Sequence, residues 1–378
     1  GEWEKTKFGD IAIVVGGGTP DTNTSQYWNG KIQWFTPSEI GRNKYVYNSV
    51  RTISEEGLNK SSAKLLPIGT ILLSSRATVG ECSINKKECT TNQGFQSLIP
   101  KENISNEFVY YLIQTKRKDL IRKSCGSTFL EISANEVRKI VVSIPTIKEQ
   151  DKIAKLLSLL DERIATQNKI IEDLKKLKCA IIEKHFRQAK LHKYKICDLG
   201  VPFSVGSLSK EDLSEEGHEC ILYGELFTTY DCVINEVKSH TNKIANTTLS
   251  QKGDLLFPSS TTVDAVSLIS PSVIDMPNVI LGGDMFGIHI DKKFNAYYLS
   301  YYINLIARKK LAIYAKGSTI IHLHYKDIAK AQLLLPDLCE QDKIAKCMMA
   351  EDAKIKVEEQ LLTKLEKQKQ YLLRQMFI

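Results

Sequence analysis

The sequence predicts an α+β fold that is built twice, with two globular domains and a long helix after each. An internal repeat is the first observation: the stretch from Tyr110 to Phe186 superposes on the stretch from Tyr301 to Phe377 at a constant shift of about 191 residues, without a gap. The second is the apolar spacing of a long helix in the last part of each copy, and the third is a strand ended by proline before it. A solenoid unit spans only about 20 to 50 residues, so each copy is domain-sized.

The repeat also gives the domain boundaries. Gly126-Ser127-Thr128 aligns with Gly317-Ser318-Thr319, Pro145 with Pro336, and Glu149-Gln150-Asp151 with Glu340-Gln341-Asp342. We expect a first globular domain over residues 1–145, a first spacer helix over 146–186, a second globular domain over 187–336 and a second spacer helix over 337–378.

Each spacer helix has an apolar seam in steps of three and four residues, with charged residues between, as in a coiled coil. In the first copy the seam comprises Ile153, Leu157, Leu160, Ile164, Ile171, Leu174 and Ile181. In the second copy it comprises Ile344, Met348, Ile355, Leu362, Leu365 and Leu372. Gln167 interrupts the first seam and Glu358 the second, and a polar seam residue can fix register.

Two arrangements of these helices are open. They can serve as dimerisation or scaffold helices, or they can pair within the chain, which the high effective concentration of linked copies favours. Antiparallel pairing would put the two domains at opposite ends and give the chain a pseudo-twofold axis. The fold prediction adopts this arrangement: two pseudo-twofold-related globular domains separated by two long antiparallel coiled-coil helices.

The globular parts mix short strands with helices. Residues 107–122 and 296–312 have the spacing of amphipathic helices, and residues 140–144 and 331–335 read as strands ended by Pro145 and Pro336. No regular alternation of strand and helix supports a doubly wound parallel sheet.

Composition indicates a soluble protein of a reducing compartment, and we expect it in the cytoplasm. The 378 residues carry a net charge of +8, which favours an anionic partner modestly. No apolar run reaches the roughly 18 residues of a membrane span, and the chain begins without a secretory signal. Its nine cysteines are an odd number with no Cys-x-x-Cys spacing, so neither a disulfide framework nor a zinc finger is indicated.

No catalytic motif stands out. Gly16-Gly17-Gly18-Thr19 lacks the Gly-Lys-Ser/Thr ending of a phosphate-binding loop, so we interpret it as a plain turn. His322 and His324 could hold a metal, but no third ligand lies near them in sequence and a surface role is favoured. An acidic cluster around Asp231 and Glu236 resembles a nuclease site only faintly. We expect no catalysis and no cofactor in this chain.

The polar loops are where the two copies differ. Residues 74–78 face residues 258–262, and Asn92-Gln93 faces Gly283-Asp284. One frame with two sets of short polar side chains suits two readers of different base sequences, although loops that drift freely would also differ. Arg122, Lys123 and Lys316 precede the Gly-Ser-Thr turns and suit phosphate oxygens; the alternative is a polar turn bonded to its own backbone.

These residues resemble one family, the specificity subunits of type I restriction-modification enzymes. The resemblance covers essentially the whole chain and rests on residues 17–20 (Gly-Gly-Thr-Pro), on 69–80, on 92–95 (Asn-Gln-Gly-Phe), and on Gly126-Ser127-Thr128 leading to the Glu149-Gln150 helix start. In the second copy, Ser260-Thr261 replaces Arg76-Ala77, so base contacts transfer less directly there.

The resemblance implies two target recognition domains that each read half of a bipartite DNA site, with the helices as a ruler. It also implies two docked methyltransferase subunits, which use S-adenosylmethionine, and motor-nuclease subunits. The candidate DNA-binding residues are Thr19, Ser38, Ser74, Ser75, Arg76, Thr78, Asn92, Gln93, Arg122, Lys123, Ser127, Thr128, Ser259, Ser260, Thr261, Thr262, Asp284, Lys316, Ser318 and Thr319.

Two other functions stay open on the sequence. One is a coiled-coil scaffold that binds proteins without DNA specificity, and the other is the recognition half of a split methyltransferase or nuclease. If the chain reads DNA, its site should be asymmetric, with half-sites about one helical turn apart, and binding should weaken with salt.

Overall fold

The computed structural model describes residues 3–126 and 130–377, and it divides into two compact units. Unit one comprises Gly1–Asn168 and Gln360–Ile378, and unit two comprises Lys169–Glu359. Each unit therefore holds one globular part together with a segment of each long helix. Within the described ranges, no helix combines the length and apolarity that a membrane span requires.

The two long helices are Ile147–Gln188, of 42 residues, and Leu338–Met376, of 39 residues. In unit one Asp161 pairs with Lys369, and Leu157 and Leu373 share one buried cluster, so the helix segments run in opposite directions. In unit two Lys175 pairs with Glu359 and Lys178 with Asp352, which gives the same sense. The predicted antiparallel pairing is confirmed within each unit.

The seam differs from the prediction at one position in each helix. Ile182 is buried where we expected Ile181, and Leu373 is buried where we expected Leu372. Ile182 joins the core of the globular part of unit two, and Leu373 joins that of unit one. The buried face at these ends follows the globular domain, so the heptad spacing that describes helix pairing no longer applies there.

Over its described residues, the globular part of unit one contains three sheets. The five-stranded sheet has the order Ala12–Gly16, Gln96–Pro100, Ile71–Leu73, Cys82–Asn85 and Tyr45–Val46. The three-stranded sheet has the order Arg51–Ile53, Trp28–Phe35 and Cys89–Thr91, and Glu4–Lys7 pairs with Val141–Ile144. Its α-helices are Phe8–Ile11, Glu55–Asn59, Asn106–Thr115, Arg117–Arg122 and Ala134–Lys139, and its 3-10 turns are Ser25–Tyr27 and Pro37–Glu39.

Unit two repeats this plan with more strands. Its first five-stranded sheet has the order Gly200–Ser204, Met285–Ile290, Asp254–Pro258, Ser272–Ile274 and Val233–Ile234. Its second has the order Leu213–Ser214, Ser239–Thr241, His218–Leu222, Ile280–Gly282 and Thr248–Leu249. Two-stranded sheets pair His192–Lys195 with Gln332–Leu335, and Ser260–Thr261 with Ile321–His322.

The remaining elements of unit two are short helical turns. They are the α-helices Glu225–Thr228, Ala265–Leu268, Ala296–Tyr302, Arg308–Leu311 and Tyr325–Ile328, the π-helix Ile303–Ala307, and the 3-10 turns Ile196–Asp198, Lys210–Asp212 and Ala312–Tyr314. The predicted α+β class is confirmed.

A buried glutamine explains why the Glu-Gln-Asp motif recurs at the start of each long helix. Gln150 donates to the carbonyl of Pro145 at 2.9 Å and accepts from the backbone N–H of Ser105 at 3.0 Å. Gln341 does the same with Pro336 at 2.8 Å and Asn295 at 3.0 Å. Both glutamines are 1% exposed, so each amide ties a helix start to its globular part.

Each predicted amphipathic helix is divided into shorter helical segments. The division shows that the offset between the two copies changes by one residue within this region. Ser105 and Asn295 occupy equivalent places, which makes the shift 190 residues before the interruption rather than the expected 191. A π-helical turn at Ile303–Ala307 accommodates an extra residue in unit two. The equivalent of Tyr111 is consequently Tyr301, and the Tyr-Tyr pair in each copy concealed the offset.

Each unit fastens its globular part to both long helices through a tyrosine, an aspartate and a lysine. In unit one the Tyr111 hydroxyl donates to Asp161 at 2.6 Å, and Lys369 from the other helix binds the same carboxylate at 2.6 Å. In unit two the Tyr301 hydroxyl donates to Asp352 at 2.6 Å, and Lys178 pairs with that carboxylate. We call these sets the Tyr-Asp-Lys triads.

Candidate nucleic-acid interface

In unit one, backbone hydrogen bonds gather the candidate turns at one place. The Ser75 N–H donates to the Gly94 carbonyl at 2.8 Å, and the Ile132 N–H donates to the Ser75 carbonyl at 2.9 Å. Cys125 and Glu131 exchange backbone bonds of 2.9 and 3.0 Å and close a hairpin. The loop cluster of unit one comprises residues 17–20, 36–38, 74–80, 92–95, 125–126 and 130–131; the predicted contacts Ser127 and Thr128 lie outside the described residues.

The Gly17-Gly18 segment is part of this cluster. The Gly18 N–H donates to the Thr91 carbonyl at 2.8 Å, and a Cβ on Gly17 would lie 2.0 Å from the Asn92 carbonyl oxygen. The Thr19 hydroxyl donates to the Gln93 side-chain oxygen at 2.5 Å. This close approach of two backbones places Thr19 beside the exposed Gln93.

Three candidates in the cluster hold its shape from inside. Ser74 and Ser75 are fully buried, and the Ser74 hydroxyl donates to the Arg76 carbonyl at 3.0 Å. Asn92 accepts from the Gly94 N–H at 2.9 Å and shapes its own turn. The side chains of Ser74 and Asn92 thus support the loops through these bonds, whereas Ser75 does so through its backbone and its hydroxyl is buried without a hydrogen-bond partner among the described residues.

Other candidates of unit one reach the surface. Ser38 is exposed, with its hydroxyl 3.1 Å from that of Thr36, and Thr78 is exposed beside Ala77, whose φ is +63°. Arg76 binds Glu131 at 2.7 Å, and 43% and 40% of the two side chains remain exposed. Glu131 is a residue that we did not propose as a contact. It is 55 residues from Arg76 in sequence, and the fold brings the two side chains together.

The basic residues before the hairpin are engaged by carboxylates. Arg122 pairs with Asp119 at 2.8 Å and keeps 77% of its side chain exposed. Lys123 lies 3.4 Å from Glu136, which also binds Lys139 at 2.9 Å. The hydrogen bond from Lys139, and next that from Lys123, lowers the pKa of the Glu136 carboxyl below its ordinary value.

Unit two builds the same frame. The Ser259 N–H donates to the Asp284 carbonyl at 2.8 Å, and the Leu323 N–H donates to the Ser259 carbonyl at 2.8 Å. Lys316 and His322 close the hairpin with backbone bonds of 2.9 and 2.7 Å. The loop cluster of unit two comprises residues 258–262, 283–285 and 316–324.

The hairpins of the two units each contain a glycine of positive φ directly after the first paired residue. Gly317 has φ +124° and Gly126 has φ +130°, a region that favours glycine. A Cβ on Gly317 would lie 2.0 Å from the Ile320 carbonyl oxygen. Ser318 and Thr319 follow at the exposed tip of the second hairpin.

The hydrogen bonds correct the sequence alignment of one loop. Ser75 bonds to Gly94 and Ser259 to Asp284, so Asp284 is the counterpart of Gly94. The strand register agrees, because Ser74 faces Phe95 and Pro258 faces Met285. The expected pairing of Asn92-Gln93 with Gly283-Asp284 was therefore wrong by one residue.

The side chains of the second cluster differ from those of the first. Ser259 and Ser260 are buried, the Thr261 hydroxyl accepts from the Val263 N–H at 3.2 Å, and Thr262 is exposed. His322 stands where unit one has Glu131, with its ring 4.0 Å from the Asp284 carboxylate. Both clusters thus share a backbone frame and present different chemistry at their surfaces.

Lys316 and the two histidines complete this surface. Lys316 is exposed and binds Asp327 at 2.6 Å, which lowers the pKa of the Asp327 carboxyl. The rings of His322 and His324 are stacked with centroids 6.1 Å apart. Within residues 3–126 and 130–377, no group of three or more His, Cys, Asp and Glu side chains is placed to hold a metal ion.

Comparison with known proteins identifies the family of this chain. The family model for the type I restriction modification DNA specificity domain matches residues 1–176 and 187–367. The chain is 39% identical to the type I restriction enzyme MjaIX specificity subunit of Methanocaldococcus jannaschii, over 49% of this chain and 44% of that protein. It is 32% identical to the EcoR124I/EcoR124II specificity subunit of Escherichia coli, over 43% and 41% of the two chains. The chain thus spans less than half the length of these two relatives.

Other similarities extend over nearly the whole chain. The putative MjaX specificity subunit of M. jannaschii is 25% identical over 98% of this chain and 92% of its own length. The crystal structure of the S subunit from M. genitalium superposes with a TM-score of 0.64 at 16% identity, covering 100% of this chain and 96% of that one. The HsdS subunit from Thermoanaerobacter tengcongensis superposes with a TM-score of 0.51 at 14% identity, covering 99% and 96%. These two structures share the fold, and with both halves of the sequence matched by the family model, the chain belongs to the family of type I restriction-modification DNA specificity domains, of which it carries two copies.

Proposed function

We propose that this chain is the DNA recognition subunit of a type I restriction-modification complex, and that each globular domain reads one half of an asymmetric bipartite site. The domains are those of residues 1–145 and 187–336. The observation that carries the proposal is the pair of loop clusters, in which one backbone frame presents Arg76 and Glu131 in unit one but Asp284 and His322 in unit two. Base edges are distinguished by such donors and acceptors.

In this proposal the candidate residues divide by role. Ser74, Ser75, Asn92, Ser259 and Ser260 support the loops, since they are buried or bonded within their own turns. Side chains at the surface are the proposed base contacts: Thr19, Ser38, Arg76, Thr78 and Gln93 in unit one, and Thr261, Thr262, Asp284, Ser318 and Thr319 in unit two. Arg122, Lys123 and Lys316 are the proposed phosphate contacts.

Ser127 and Thr128 remain predicted contacts on the basis of sequence alone. They align with Ser318 and Thr319, which lie at the exposed tip of the equivalent hairpin in unit two.

The long helices are proposed to set the gap between the half-sites and to dock partner proteins. Large apolar side chains are exposed along both helices, as at a protein interface. They are Leu156, Leu159, Ile170, Leu177, Leu338, Met349, Val357 and Leu361. The family resemblance implies two methyltransferase subunits here, with S-adenosylmethionine bound in them, and motor-nuclease subunits beyond. In this proposal the chain itself is not catalytic and binds no cofactor.

A methylation map tests the proposal. Cells that express the chain with its methyltransferase should carry methylated adenine at a split, asymmetric motif. Absent or randomly placed methylation would refute the proposal and favour a scaffold without DNA specificity. Exchange of residues 2–145 for another such domain should change one half of the motif, and a change in both halves would contradict the division between the domains.

A further inference from the structure

We infer that the Arg76–Glu131 pair reads one G·C base pair in the half-site bound by unit one. The inference rests on the proposed function and adds the identity of one base pair to it. The two residues face each other in the loop cluster, with a distance of 2.7 Å between a guanidinium nitrogen and a carboxylate oxygen.

The pair is both oriented and accessible. The backbone bridge between Arg76 and Glu131 fixes their Cα atoms side by side, and about two-fifths of each side chain is exposed. A guanidinium carries five N–H donors and a carboxylate accepts through two oxygens, so the bond between them leaves donors and acceptors for a ligand. The pair thus presents positive donors next to negative acceptors on one surface.

This order of groups is complementary to a G·C pair in the major groove. Guanine offers two acceptors, N7 and O6, which suit an arginine, and cytosine offers the N4 amino donor, which suits a glutamate. An A·T pair offers the N6 amino donor beside N7, so a second arginine N–H would meet another donor. Of the two base pairs, only G·C lets the arginine donate two N–H groups to adjacent acceptors while the glutamate accepts from the same pair.

The glutamate also argues against a phosphate ligand at this place. A carboxylate 2.7 Å from the guanidinium neutralises its charge and would repel a phosphate. Arg122 is also paired with a carboxylate, that of Asp119 at 2.8 Å, but 77% of its side chain is exposed against 43% of Arg76, so solvent screens that pair more strongly and the guanidinium is more accessible to a phosphate.

A purely structural role does not account for the pair. Exposed ion pairs contribute only about 0–1 kcal/mol to stability. Unit two forms the same backbone frame with Ser260 opposite His322, so the fold does not require an ion pair there. A G·C requirement read by such a pair should therefore occur only in the half-site of unit one.

The test compares methylation motifs of the complex carrying Arg76→Ala, Glu131→Ala or Arg122→Ala. We expect Arg76→Ala to relax one G·C position in the half assigned to unit one, with discrimination reduced about ten- to a hundredfold. Glu131→Ala should relax the same position, and the other half-motif should stay intact, which also shows that the variants fold. Arg122→Ala should lower methylation at all sites equally without changing the motif.

A duplex with 7-deazaguanine at that position gives an independent readout. Loss of the N7 acceptor should slow methylation by the unaltered complex and leave the Arg76→Ala complex unaffected. A split motif that Arg76→Ala leaves unchanged, or uniform loss of methylation at all sites, would overturn the inference while leaving the proposed function standing. Absence of a split motif from the unaltered complex would refute both.

Discussion

Replacement of Tyr111 by phenylalanine should weaken unit one measurably, because this hydroxyl joins the globular part to the long helices. Tyr111 is fully buried and donates to Asp161 at 2.6 Å. A hydrogen bond to a charged group contributes about 1.5–3 kcal/mol. Since the Asp161 side chain is 23% exposed and keeps its bond to Lys369, we expect a loss near the lower end, about 1.5 kcal/mol.

Urea unfolding of the full chain measures this loss as a shift of the midpoint for unit one, without a change in slope. Tyr301→Phe should produce the equivalent loss in unit two, where the hydroxyl donates to Asp352 at 2.6 Å. Tyr371→Phe is the matched control, because this tyrosine is 62% exposed on a long helix and its loss should stay within about 0.5 kcal/mol. If Tyr111→Phe proves no more destabilising than Tyr371→Phe, the triads do not hold the domains to the helices.

Three further changes test the frame. Burial first, and then the bond to Asp161, raises the pKa of Tyr111, whereas an unfolded tyrosine titrates near 10. This contribution to stability is complete below about pH 10 and is lost as the pH rises toward the folded pKa, so alkaline urea titrations should fall less steeply for Tyr111→Phe. Gln150→Ala should cost about 1–3 kcal/mol in urea unfolding, because it leaves two buried backbone groups without their partner, whereas exposed Gln370→Ala should have little effect. Iodoacetamide should label the exposed Cys125 at the hairpin base, and it should do so more slowly when the cognate duplex is bound. It should spare the buried Cys89, because burial raises the pKa of that thiol to about 12. Equal labelling of Cys125 with and without duplex would show that the hairpin is not part of the interface.

Much of the fold could be predicted because its signals are local. The long helices were predicted from two local signals, the apolar seams and the prolines that end the preceding strands. Their predicted ends lie within two residues of Ile147–Gln188 and Leu338–Met376. The errors in the predicted seams occur where a long helix packs against a globular core as well as against the other long helix. Ile182 and Leu373 face a globular core, and a pattern derived from helix pairing does not register that core.

The candidate site was less predictable, because its partners come from distant parts of the chain. Arg76 and Glu131 are 55 residues apart and meet only because Glu131 bridges both Arg76 and Cys125 in the folded chain. Sequence alignment also matched Asn92-Gln93 to Gly283-Asp284, since nothing in those residues shows which carbonyl accepts from the serine N–H. Only the backbone hydrogen bonds show which loop residues of the two units are equivalent.

These hydrogen bonds suggest why one frame can present two chemistries. The bonds that assemble each cluster, from Ser75 to Gly94 and from Ser259 to Asp284, join backbone atoms and therefore do not depend on the side chains above them. Glycine at residue 94 and aspartate at residue 284 accept the same bond, although only the aspartate adds a carboxylate to the surface. A substitution at the surface can change what a cluster binds without loss of the fold, and because the buried glutamines and triads are repeated in both units, each domain can change independently of the other.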